Sequence, residues 1–117
     1  MELSTAVTTF AALAQETRLQ VLKELVKAGE SGLAAGALGE RLGVPNNTLS
    51  FHLGHLSNAG IVRAEKQGRS IIYRANFDTM SALINYLAAD CCSDDRASVE
   101  VSDSEGATTI SLRACCD

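Results

Sequence analysis

The most distinctive chemistry in the chain belongs to four cysteines in two adjacent pairs, Cys91-Cys92 and Cys115-Cys116. A deprotonated thiol is a soft donor and selects soft, thiophilic ions. Three thiolates in a pyramid suit trivalent arsenic or antimony, and two suffice when one position on the metalloid is already organic. The same donors suit a soft divalent ion such as cadmium, zinc or lead. An adjacent pair can also close as a redox-sensing disulfide, or do nothing. Neighbours on a continuous helix point about 100° apart, so Cys91 and Cys92 need a helix end to converge. No His or Lys lies in that segment to activate a thiol, and the chain has neither a phosphate loop nor paired catalytic carboxylates. An enzyme is therefore not expected.

A second group is suited to nucleic acid. Asn46, Asn47, Thr48, Ser50 and His52 cluster at the start of a leucine-spaced segment. Small polar side chains at a helix start can enter a major groove and bond to base edges or phosphates. The helix N-terminus adds a partial positive charge. Further on, Lys66 and Arg69 occupy a polar loop, with Arg63 and Arg74 on its flanks and Glu65 as the only acid between them. The net charge of −4 hides an asymmetry: residues 1–77 carry a balance of +2 and residues 78–117 one of −6. A local basic patch can bind phosphates in a protein that is acidic as a whole.

Helices and a hairpin must position these groups. Apolar residues at Leu3, Val7, Phe10 and Ala14 have helical spacing, with Ser4 or Thr5 as cap. A second helix, Glu16 to Ala28, carries Leu19, Leu22, Leu25 and Val26 and stops at Gly29. A third spans about Leu33 to Leu42 and ends at Gly43. A fourth starts near Asn46, carries Leu49, Leu53 and Leu56, and ends at Gly60; it packs on the third through Leu38, Leu42, Leu49 and Leu53. Ile61-Val62 and Ile71-Ile72-Tyr73 flank Lys66-Gln67-Gly68-Arg69 as a β-hairpin. A fifth helix, capped by Asp78, carries Met80, Leu83, Ile84 and Leu87. The expected architecture is mainly α (α+β): a winged helix-turn-helix of five helices plus a hairpin wing over residues 1–92. Residues 93–117 form an acidic tail, in which Val99 and Val101 alternate against Ile110 and Leu112 as a weak hairpin would.

Leu38-Gly39-Glu40-Arg41-Leu42-Gly43-Val44, Thr48-Leu49-Ser50-Phe51-His52-Leu53 and Leu56-Ser57-Asn58-Ala59-Gly60-Ile61-Val62 together resemble the ArsR/SmtB family of metal- and metalloid-responsive repressors. Leu13 to Leu22 looks like that family's second-helix opening, and Gly68-Arg69 with Tyr73-Arg74 like its wing. The resemblance spans roughly residues 5 to 90. It implies a homodimer docked through its first and fifth helices, binding to double-stranded operator DNA, and release when an inducer binds. Two departures narrow the inducer site. The third helix has none of the cysteines of the family's arsenic sensors, and the fifth has Asp78 but no histidine for a zinc site.

Inducer capture is thereby left to Cys91, Cys92, Cys115 and Cys116, with As(III) or Sb(III) as the expected inducer and no cofactor needed for DNA binding. A soft divalent metal or a thiol redox signal is the alternative. A ligand drawn onto the end of the fifth helix would respace the two recognition helices of the dimer. A winged-helix module that binds protein rather than DNA is the remaining rival class. The chain has no apolar run near 20 residues and no basic leader, so a cytoplasmic protein away from membranes is expected, with its cysteines as thiols.

Overall fold

The computed structural model describes residues 1–89, 98–104 and 107–113. The backbone divides into two compact units, residues 2–79 and residues 80–117 together with Met1. The boundary expected after Cys92 lies among residues outside the description, as do all four cysteines.

In the first unit, α1 (Leu3–Leu13), α2 (Glu16–Ala28), α3 (Ala35–Leu42) and α4 (Asn46–Asn58) precede a hairpin of β2 (Val62–Gln67) and β3 (Ser70–Ala75). Gln15 starts α2 by accepting a hydrogen bond on Oε1 from the Arg18 N–H at 2.8 Å. This satisfies one of the donors that a helix start leaves free. Gly29 (φ 65°) ends α2 and leads into a 3-10 turn, Gly29–Ser31. The core is a leucine ladder drawn from successive elements: Val21, Leu22 and Leu25 of α2, Leu38 of α3, and Leu49, Leu53 and Leu56 of α4. Ile61, Val62 and Ala75 close it at the base of the hairpin.

Several expectations need correction. Leu33 and Ala34 do not belong to α3; they form a short strand, β1, antiparallel to β3, with Leu33 opposite Tyr73 and Ala34 opposite Ile72. The sheet order is therefore β1-β3-β2. Gly32 (φ 66°) makes this possible, because a Cβ there would lie 2.5 Å from the Tyr73 carbonyl oxygen. Within α2, Leu19 and Val26 are exposed and Val21 is buried in their stead. On α1 the large apolar residues Leu3, Val7 and Phe10 face solvent, while Ala6, Thr9 and Ala12 are buried. Ser4 and Thr5 lie inside that helix, and its N-cap residue, Glu2, makes no side-chain cap bond.

The hairpin matches its expectation closely. Gln67 pairs with Ser70, leaving Gly68-Arg69 as a two-residue loop. Gly68 takes φ 62°, as the first position of a primed turn requires. Asn76 fastens the base of the hairpin to the end of α4. Its N–H donates to the Ile61 carbonyl at 2.8 Å and its Nδ2 to the Gly60 carbonyl at 2.9 Å. Its Oδ1 accepts from the Thr79 N–H at 3.3 Å. Asn76 is thus the cap of α5 (Phe77–Ala88), and Asp78 is a first-turn acid inside it.

In the second unit, β4 (Ser98–Ser104) pairs antiparallel with β5 (Ala107–Arg113). Val99 stands opposite Leu112 and Val101 opposite Ile110, the pairing that the alternation in the tail anticipates. On α5, Leu83 is buried and Leu87 is 62% exposed. Among the described residues, no helix is long and apolar enough to cross a membrane.

Candidate nucleic-acid interface

The turn between α3 and α4 is set by two backbone features. Gly43 adopts φ 67°, ψ 34°, the left-handed conformation that ends a helix at low cost for glycine. The Val44 N–H then closes back on the Gly39 carbonyl at 3.1 Å. Gly39 is buried where α4 comes close: a Cβ on it would lie 3.1 Å from the Val44 carbonyl oxygen and 3.6 Å from Leu49 Cδ2. Pro45 occupies the N-cap of α4 and offers no side-chain acceptor. The first N–H groups of the helix keep their partial positive charge without a capping carboxylate beside them.

From this start, α4 divides cleanly. Leu49, His52, Leu53 and Leu56 are buried; Asn46, Asn47, Thr48, Ser50, Phe51, Gly54, His55 and Asn58 are exposed. Four of the five helix residues expected to face DNA are therefore on the surface. Asn46 is one of them, although its Oδ1 leans over α3, 3.4 Å from where a Gly39 Cβ would stand. Asn47 Oδ1 accepts from the Thr48 N–H at 2.9 Å.

His52 is the exception and its expected exposure is corrected. It is only 9% exposed, and its Nδ1 lies 3.3 Å from Arg18 Nη1. Arginine always donates, so the ring accepts at Nδ1 and is neutral in this contact. Burial, then the Arg18 guanidinium, then His55 hold the imidazole below its ordinary range. Arg18 also donates from Nε to the Ala12 carbonyl at 2.6 Å. The Arg18–His52 pair thus ties the end of α1 and the start of α2 to α4. The signal for this was present in the sequence: His52 stands three residues after Leu49 and four before Leu56, which is helical spacing on the leucine face.

The wing sorts its four cations in the same way. Arg63 pairs with Asp78 at 3.3 Å. Arg74 pairs with Glu65 at 2.9 Å and donates from Nε to the Glu30 carbonyl at 2.7 Å. Hydrogen bonds from Gln67 and then Arg74, together with the Arg74 charge, hold the Glu65 carboxyl below its usual range. Lys66 and Arg69 are exposed and make no salt bridge among the described residues. The basic patch is thus narrower than the charge count implies. It consists of the two cations nearest the wing tip, the pair expected to meet DNA.

Sequence reasoning passed over Phe51, an aromatic residue 62% exposed in the middle of the outward face of α4. Its ring stands edge-on to His55 at 4.8 Å between centroids and to His52 at 5.6 Å. The four cysteines expected to bind an inducer lie outside the described residues, so no geometry is assigned to them.

Comparison with known proteins supports this reading of the geometry. Residues 13–65 match a family model described as a helix-turn-helix domain. The chain is 33% identical over 82 residues to the transcriptional activator HlyU of Vibrio cholerae, covering 70% of this chain and 73% of that protein. It is similar in structure to an ArsR-like transcriptional regulator from Rhodococcus sp. RHA1, with a TM-score of 0.64 at 34% identity over 72% of this chain and 76% of the other. It is similar too to a homodimeric winged helix-turn-helix DNA-binding domain from Mycobacterium bovis, a possible ArsR-family regulator. That match has a TM-score of 0.61 at 27% identity over 80% of this chain and 87% of the other.

Proposed function

The chain belongs to the ArsR/SmtB family of winged helix-turn-helix transcriptional regulators, and on that premise we propose that it is a homodimeric repressor whose operator DNA is released when trivalent arsenic or antimony binds its cysteines. The observation that carries the DNA-binding half is the division of α4. Its leucines hold the helix in the core, and its outward face presents Asn47, Thr48 and Ser50 beside a wing whose exposed Lys66 and Arg69 make no salt bridge among the described residues. Polar groups on a rigid helix read base edges, and free cations on a hairpin neutralise phosphates. A regulator of this kind performs no catalysis.

The dimer uses α1 and α5. Leu3, Val7 and Phe10 form an exposed i, i+4, i+7 stripe on α1, and on α5 Leu87 is exposed. Covering such surfaces by a second copy is what a homodimer supplies, and the similar Mycobacterium bovis domain is itself homodimeric.

The inducer half rests on donor chemistry. Cys91, Cys92, Cys115 and Cys116 are thiols suited to As(III), Sb(III) or a methylated arsenical. The β4–β5 register supports their meeting: Arg113, two residues before Cys115, stands opposite Ser98, six residues after Cys92. The two strand ends nearest in sequence to the cysteine pairs are therefore at the same end of the hairpin. Metal–thiolate bonds formed there would bias the dimer between two spacings of its recognition helices, and a coupling of about 1–3 kcal/mol regulates occupancy.

The test is a footprint on DNA upstream of the protein's own coding region, followed by titration of the complex with arsenite. Protection by wild type, release by arsenite, and no release of a Cys91→Ser/Cys92→Ser variant are expected. Lack of protection overturns the DNA-binding half. Equal release of both proteins overturns the cysteine site.

A further inference from the structure

We propose that Phe51 is a specificity-determining residue that reads a thymine through its 5-methyl group. The proposal rests on the DNA-binding reading above and deepens it.

On α4, successive residues turn about 100° around the axis. Counting from Leu49, the buried positions Leu49, His52, Leu53 and Leu56 gather in one arc, and Asn47, Phe51, Gly54 and Asn58 fall in the opposite one. Phe51 is thus at the centre of the surface that a groove would meet, and it is 62% exposed there. A phenyl ring has no hydrogen bond to offer a base. Its one discriminating contact in a major groove is with an apolar group, and the only such group on a base edge is the thymine methyl.

Two further observations suit a close approach at this point. The ring is braced edge-on by His55 at 4.8 Å and His52 at 5.6 Å, and His52 is itself locked against Arg18. Phe51 therefore has a firm seat, although its outer face is open. Gly54 lies on the same surface one turn on. A Cβ added there meets nothing within 4 Å. Glycine in a helix interior is costly relative to alanine, and nothing among the described residues requires it at position 54. Beside Phe51 it leaves a bare strip of backbone on which an opposing surface can settle. Asn47, one turn before Phe51, is suited to adenine by its paired donor and acceptor. The expected core of each half-site therefore contains A·T pairs, with one thymine methyl against Phe51.

The experiment begins by enriching duplexes from a randomised library with the full-length protein. In the selected duplex, each thymine is then replaced singly by deoxyuridine, which removes only the methyl group. Binding is measured for wild type, Phe51→Ala and Phe51→Leu. Loss of one buried methyl contact lowers affinity about fourfold per half-site, and about fifteenfold when both symmetric positions change. The expected result is one thymine in each half-site with this penalty in wild type and in Phe51→Leu, and none in Phe51→Ala. Tolerance of deoxyuridine at every position overturns the proposal alone, since a selected sequence will have upheld DNA binding. So does a penalty that persists in Phe51→Ala. Failure to enrich any sequence overturns the operator reading and this proposal with it. If deoxyuridine is tolerated while Phe51→Ala lowers the molar mass in solution, Phe51 covers a protein surface and the proposal falls.

Discussion

Helices α1 and α4 are similar in length, 11 and 13 residues, and each carries a stripe of large apolar side chains at helical spacing, Leu3, Val7 and Phe10 in α1 and Leu49, Leu53 and Leu56 in α4. They use those side chains in opposite ways. In α4 the leucines at 49, 53 and 56 point inward and are fully buried. In α1 the inward positions are small, Ala6, Thr9 and Ala12, and the one buried hydroxyl is satisfied by donating to the Thr5 carbonyl at 2.9 Å. Leu3, Val7 and Phe10 are left outside, Leu3 at 67% exposure. A helix that faces its own core with small residues can approach closely, but it contributes little apolar burial. The contrast teaches that the leucine face of α4 is completed by its own chain, whereas the corresponding stripe of α1 is exposed. Apolar periodicity looks the same in both cases, because it reports a stripe and not what the stripe faces.

The contrast can be broken from either side. The largest effect is expected inside α4. Leu53→Ala removes a core side chain and should lower unfolding free energy by about 2–5 kcal/mol in urea titrations. A loss below about 1 kcal/mol would mean that this face does not anchor the helix. The matching change on α1, Val7→Glu, should leave far-ultraviolet circular dichroism unchanged and shift the sedimenting species from dimer toward monomer. A dimer that survives would remove α1 from the interface.

A third, smaller effect separates the joint from the faces. The folded-state pKa of His52 lies below the ordinary value of 6.5, so the folded state binds fewer protons than the unfolded chain between those two values. Its contribution is fully present above pH 6.5 and is lost as pH falls below it. The urea midpoint should therefore drop between pH 7.5 and 5.5 in wild type, and drop less in His52→Gln. The depressed Glu65 titrates below 4.5, outside that window. Identical pH profiles would leave Arg18–His52 without a role in stability. The smallest effect is at the wing tip. Arg69→Ala should weaken DNA binding modestly and flatten the slope of log affinity against log salt by about one unit per wing engaged. An unchanged slope would place the wing tip away from phosphate.

Much of this was legible in the sequence because the signals were local. Gly43 and Gly68 punctuate the chain where a left-handed residue is required, and the change from a period of 3.6 to alternation after Gly60 announces the hairpin. The exposed positions at the start of α4 followed from the leucines behind them. What local reading missed depended on distant partners. Leu33 looked helical because its pairing with Tyr73 is forty residues away. Asp78 looked like the cap of α5 because the bonds that hold Asn76 in that place, to Gly60 and Ile61, cross from the end of α4 to the base of the hairpin. Arg63 and Arg74 counted toward a basic patch until Asp78 and Glu65 were found beside them.

By itself the sequence determined the order of helices and hairpin, the placement of the reading helix from Asn46, and the soft chemistry of its two cysteine pairs. These follow from residue type and short-range spacing, which no tertiary contact alters. Tertiary structure decided which side of each helix is the inside. It buried His52 against Arg18, turned Leu3, Val7 and Phe10 outward, and left Lys66, Arg69 and Phe51 exposed at the candidate interface. The physical reason is that burial and ion pairing are properties of residues brought together from distant parts of the chain, while periodicity is a property of one segment alone.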